Sequence, residues 1–85
     1  MSETERVTVT VAGQNLGLKT DHDGEYVREL AKSVDQRLKE LRDQNPSLTP
    51  ARAAVLLCLE LKDEMNQLEK DYQGLLEELN KIEIV

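Results

Sequence analysis

Apolar positions alternate with polar ones through RVTVTVAGQNLGLKT, residues 6–20, and β-branched side chains stand on both sides of the alternation. A repeat of two places successive side chains on opposite faces, so this stretch predicts a β-hairpin and not a helix. Taken as a two-residue type II′ loop, Gly13-Gln14 sets Ala12 opposite Asn15, Val11 opposite Leu16 and Val9 opposite Leu18. Val7, Val9, Val11, Leu16 and Leu18 then share one face. Two strands alone cannot shield that face from water, so a helix must cover it.

The period then changes. In residues 24–44, Val27, Leu30, Ala31, Val34, Leu38 and Leu41 recur three and four positions apart, the single stripe of an amphipathic helix. Asp21 or Asp23 can cap its start. Asn45-Pro46 ends it, because a residue before proline avoids the α region, and residues 45–49 form a loop. Thr49 is placed to cap a second helix whose first residue is Pro50, where a missing N–H costs nothing.

From Pro50 onward the only helix breaker is Gly74. In a heptad frame Cys58, Met65, Tyr72 and Leu79 fall at a, and Leu61, Leu68, Leu75 and Ile82 at d, an unbroken apolar seam that calls for a partner helix. Leu76 at e widens it, which favours more than two strands. Residues 53–59 are apolar all round and need a surrounding core. The expected fold is therefore α+β: a small head over residues 1–49, a β-hairpin packed on a helix, then a long helix over 50–85. Its first part, 50–61, is expected to be buried in the head and 62–85 to form a coiled-coil stem, in a dimer or a dimer of dimers.

Composition sharpens this picture. The chain has 85 residues, two tyrosines and no Phe or Trp. A core of this size built from Val, Leu, Ile, Ala and Met needs help, and a second copy is the simplest source. The net charge is −6, from 11 basic and 17 acidic residues. That balance argues against backbone-driven nucleic-acid binding, which needs clustered positive charge. The polar N-terminus and the lack of an apolar run near 18 residues give neither a secretory leader nor a membrane span. With a lone cysteine, the expectation is a reduced cytoplasmic protein.

Little here supports catalysis. His22 lies in the turn-like DHD and has no complementary ligand set, and Cys58 sits inside the apolar run, which suits a buried, inert thiol. No nucleophile-base pairing or phosphate-binding glycine loop occurs. No enzyme, cofactor, metal, membrane or small-molecule substrate is expected. Along the seam, Glu64, Asp71 and Glu78 at g and Glu69 and Glu83 at e face a single Lys62, so like charges oppose pairing at neutral pH. On the first helix Arg28, Lys32, Lys39 and Arg42 form a basic flank with Asp35 among them, and Asp35 and Lys39 can pair at i, i+4.

Together, VAGQNLGL, EYVRELAKSVDQRLKEL and TPARAAVLLCLELKDEM resemble the ZapA family of bacterial cell-division proteins over nearly the whole chain. The resemblance rests on Gly13 at the turn, the Tyr26-Val27 to Val34-Asp35 register, and the Ala54-Val55-Leu56 run ending in Asp63-Glu64-Met65. It implies a cytoplasmic protein at the division site that binds the tubulin-like protein FtsZ and cross-links its filaments, and that forms homodimers and homotetramers. The expected filament contacts are Gln14, Arg28, Lys32 and Arg52; Cys58, Leu61, Met65, Leu68, Tyr72, Leu75, Leu76, Leu79 and Ile82 would set the oligomer. Two other readings are a coiled-coil adaptor or co-chaperone and a ribbon-helix-helix DNA-binding protein, whose strand would read bases through Arg6, Thr8 and Thr10.

Overall fold

A computed structural model describes residues 4–83, in the order β1 (Glu5–Val11), β2 (Gln14–Thr20), α1 (Gly24–Gln44) and α2 (Pro50–Asn80). The first three positions of the expected head and the last two of the expected stem lie outside the described residues. The chain divides into two compact units between Ala54 and Val55. The hairpin, α1 and the first turn of α2 make up one, and the remainder of α2 the other.

β1 and β2 pair antiparallel, Val11 with Gln14, Val9 with Leu16 and Val7 with Leu18. The loop is thus Ala12-Gly13 and not Gly13-Gln14, and the pairing differs from the expected one by two residues. An even slip preserves facing, so Val7, Val9, Val11, Leu16 and Leu18 still share one side. Both loop residues have positive φ, 53° at Ala12 and 75° at Gly13, the signature of a type I′ turn. Type I′ follows the right-handed twist of the strands but puts a non-glycine residue in the left-handed region, a cost the sequence pattern does not reveal.

That cost is met by a tie to α1. The Ala12 N–H donates to Asp35 Oδ1 at 2.9 Å, and Lys39 Nζ reaches Asp35 Oδ2 at 3.2 Å. A second tie closes the other end of the hairpin, where Gly24 N–H donates to Glu5 Oε2 at 3.0 Å. A Cβ on Gly24 would lie 2.5 Å from that oxygen and 3.2 Å from Val7 Cγ2, so glycine permits this approach. Asp23, not Asp21, caps α1, its side chain accepting from Glu25 N–H at 3.2 Å. Thr49 caps α2 through its Oγ1, which accepts from Arg52 N–H at 3.2 Å.

α1 packs on β1. Val7 and Val9 are 2% and 6% exposed, whereas Leu16 and Leu18 on β2 remain 45% and 39% exposed. The helix covers only half of the apolar face. Leu38 and Ala53 are buried as well, and Val27, Ala31, Val34 and Leu41 of the expected stripe are half-buried.

Two predictions follow from the hairpin and its ties. Ala12→Asn, which creates the Asn-Gly pair preferred in type I′ loops, raises stability by roughly 0.5–1 kcal/mol, read as a higher Tm at fixed protein concentration; a lower Tm contradicts the turn assignment. The Ala12 N–H, then Lys39, hold the Asp35 carboxyl below its ordinary 3.8. A depressed carboxylate stabilises the fold fully above its unfolded value and loses that contribution as pH falls through the folded one. Asp35→Asn is therefore less stable than the parent at pH 7, and the gap closes below about pH 4; a constant gap in pH-dependent denaturation refutes this.

Candidate interaction surfaces

The second unit is helical as far as Asn80, and the 31 residues of α2 extend about 47 Å at 1.5 Å per residue. Its apolar seam is open in the single chain. Leu61, Met65, Leu68, Tyr72, Leu75 and Leu79 are all exposed, Leu68 by 69%, and their 3-4 spacing puts them along one side of the helix. Leu76 is half-buried. Ile82 lies past the end of α2, where Lys81 and Ile82 N–H bond to the carbonyls of Glu78 and Leu79 at 3.2 and 3.1 Å, tightening the last turn.

Residues 53–59, apolar all round, are not all covered within one chain. Ala53 and Leu57 are buried, while Val55, Leu56 and Leu59 are exposed. Cys58, expected to be buried, is exposed too. The expectation of burial came from apolar neighbours in sequence, but a helix buries a side, and residues 53 and 57 share one that 58 does not.

The expected contact residues do not form one cluster. Gln14 opens β2 beside the hairpin tip, and Arg52 is exposed in the first turn of α2. Arg28 and Lys32 instead line a groove of about 280 Å³ between α1 and the outer edge of β1, together with Thr8, Thr10, Glu25 and Glu29. Arg28 is paired there with Glu25 at 3.2 Å, both well exposed. The basic flank of α1 is thus divided: Lys39 and Arg42 line a separate hollow of about 120 Å³ beneath the hairpin tip, with Gly13 and Pro50. Proximity of the tip to the end of α1 follows from the Asp35 tie, which no sequence period announces.

His22 is exposed, its N–H donating to Thr20 Oγ1 at 2.9 Å and its ring set edge-on to Tyr26 with centroids 5.7 Å apart. Among the described residues no group of three His, Cys, Asp or Glu side chains is arranged to hold a metal ion, and no helix is long and apolar enough to cross a membrane.

What remains prominent is an open apolar seam on a long helix and a half-covered hairpin. A family profile described as "Cell division protein ZapA" matches residues 7–84. The chain belongs to the ZapA family. Among relatives bearing that name, the protein of Halalkalibacterium halodurans is 36% identical over 68 residues, 80% of this chain and 75% of its own. That of Shouchella clausii is 32% identical over 69 residues, 81% and 88% of the two chains. A solved ZapA mutant dimer from Geobacillus stearothermophilus superimposes with a TM-score of 0.72 at 28% identity, covering 94% of this chain and 93% of that one. The ZapA fold of hairpin, helix and long C-terminal helix is thus the fold seen here.

The charges beside the seam give a prediction. Glu64, Asp71 and Glu78 flank it on one side and Glu69 on the other, with Lys62 the single base at these positions, while Glu83 lies past the end of α2. Lys81 partly offsets Glu78 at 3.0 Å, but both are about 70% exposed and such a pair is worth little. Raising NaCl from 50 to 500 mM screens the repulsion and tightens self-association severalfold in analytical ultracentrifugation; weaker association in high salt contradicts it.

Proposed function

We propose that this protein is a non-enzymatic cross-linker of FtsZ filaments, acting in the cytoplasm at the bacterial division site. Its membership of a cell-division family supports the process. The open seam of α2 carries the mechanism: exposed Leu and Met side chains at heptad spacing associate with other copies and so hold several hairpin-bearing heads together. Two or more weak filament contacts on one assembly add through effective concentration, and no reaction is required. Homodimers are the basic unit in this reading, in keeping with the dimeric solved relative, and the strip widened by Leu76 lets two dimers join as a tetramer.

Cys58, Leu61, Met65, Leu68, Tyr72, Leu75, Leu76, Leu79 and Ile82 belong to the self-association surface in this proposal. Exposure of Cys58 in the single chain accords with that role. Filament contacts are assigned to the head, at Gln14 and Arg52 first; Arg28 and Lys32 offer a second basic place in the groove beside β1. The ribbon-helix-helix reading loses its support, since β1 is followed at once by its own antiparallel partner β2. A coiled-coil adaptor of another process would need a different family.

Low-speed sedimentation of polymerised FtsZ tests the proposal. The protein brings filaments into the pellet, and the Leu68→Glu, Leu75→Glu double variant loses at least tenfold of that pelleting while still co-sedimenting with filaments at high speed. No co-sedimentation of the parent protein under polymerising conditions overturns the FtsZ reading. Equal loss of binding and bundling in the variant overturns the division of labour between head and seam.

A further inference from the structure

The two faces of the hairpin are unlike. Alternation puts the valines and leucines on the side of α1 and leaves Arg6, Thr8, Thr10, Asn15, Gly17 and Lys19 on the outer face, all of them exposed. That face holds two bases and no carboxylate, on a chain whose net charge is −6. Arg6 stands directly opposite Lys19, and Thr8 opposite Gly17. In a two-residue hairpin the pair next to the loop, Val11 and Gln14, exchanges both hydrogen bonds, so by alternation Arg6 with Lys19 and Thr8 with Gly17 are pairs without them. In such pairs the Cα atoms lie about 4.5 Å apart and the side chains are closer.

Like charges directly opposite each other destabilise a sheet. Among the described residues nothing offsets this pair, since neither Arg6 nor Lys19 takes part in an ion pair or a side-chain hydrogen bond. The neighbouring Glu5 belongs to the other face and is engaged by the Gly24 N–H at 3.0 Å. Toward the tip, Thr10 Oγ1 donates to Asn15 Oδ1 at 2.7 Å, whereas the Thr8 hydroxyl stands across from a glycine and has no side chain to meet. An open hollow of about 340 Å³ results, lined by Arg6, Thr8, Gly17 and Lys19 with Val7 and Leu18. Gly17 has no left-handed φ, and nothing lies within 4 Å of an added Cβ, so no contact within the chain demands glycine there. A strand glycine weakens pairing and suits a place where a ligand approaches closely.

We propose that this hollow binds one phosphate group. The Arg6 fork takes two of its oxygens, Lys19 brings a second positive charge, and the Thr8 hydroxyl donates to a further oxygen. The missing side chain at Gly17 leaves room for the group to sit against the strands. Two opposed cations select phosphate over carboxylate, because a phosphate monoester carries about −1.5 to −2 at pH 7 and balances both. A carboxylate balances only one. Two charges fit a single group and not a polyanion, in keeping with an acidic chain. Inorganic phosphate, a soluble monoester and a lipid headgroup share this chemistry. The site uses none of the residues assigned above to self-association or to filament contact.

Titration of the isotope-labelled full chain with inorganic phosphate at constant ionic strength, followed by amide NMR shifts, tests the site. The shifts saturate and centre on residues 6–8 and 17–19. Arg6→Gln and Lys19→Gln each weaken binding about fivefold or more. Lys70→Gln, which removes the same charge from an exposed position on α2, changes it less than about twofold. Circular dichroism in phosphate-free buffer checks that each variant is folded. Shifts that do not saturate, that spread over the molecule, or that Lys70→Gln weakens as much as Lys19→Gln overturn the proposal, whatever FtsZ pelleting gives. Flotation with phosphatidylcholine vesicles, with and without phosphatidic acid, then separates the sources. Flotation that needs both phosphatidic acid and Lys19 assigns the headgroup, and saturable titration without flotation assigns a soluble phosphate.

Discussion

The constraint on which this structure depends is the amount of apolar surface that one copy leaves uncovered. Among the described residues five apolar side chains are buried, Val7, Val9, Leu38, Ala53 and Leu57, against a long series of exposed leucines, with Val55 and Met65, on β2, α1 and α2. Burying apolar area drives folding at about 25 cal/mol per Å² removed from water, and a chain of 85 residues has little to spare against its conformational entropy. Exposed apolar strips of this extent mark interaction surfaces. Stability and self-association thus draw on the same kind of surface.

Within the head, two carboxylates hold the covered half of the hairpin in place. Glu5 receives the first N–H of α1, and Asp35 receives the N–H of the strained turn residue. They bind opposite ends of one hairpin to one helix, which fixes the strand direction relative to α1 and leaves β2 overhanging. The overhang is what gives the sheet one edge beside a charged helix flank and another beside apolar side chains.

Much of the fold was legible in the chain, and particular residues show why. Alternation through RVTVTV gives a strand whichever residues form the turn, and the Asn45-Pro46 and Thr49-Pro50 signals bound the helices because they act on backbone angles locally. The apolar face of the hairpin was correct even with the loop misplaced, since slips of two keep facing. Three features were not legible. The type I′ turn at Ala12-Gly13 depends on an acceptor 23 residues away, the exposure of Cys58 depends on which side of α2 is covered, and the separation of Arg28 and Lys32 from Arg42 depends on where β1 lies along α1.

Sequence alone determined the elements, the heptad seam and the ZapA resemblance, because period, capping and breaker signals lie within a few residues of the structure they specify. Tertiary structure decided which half of the hairpin is covered, which strand edge is open and which of the expected contact residues stand together. Those outcomes arise from hydrogen bonds and packing between segments far apart in the chain, and no local pattern encodes such distances.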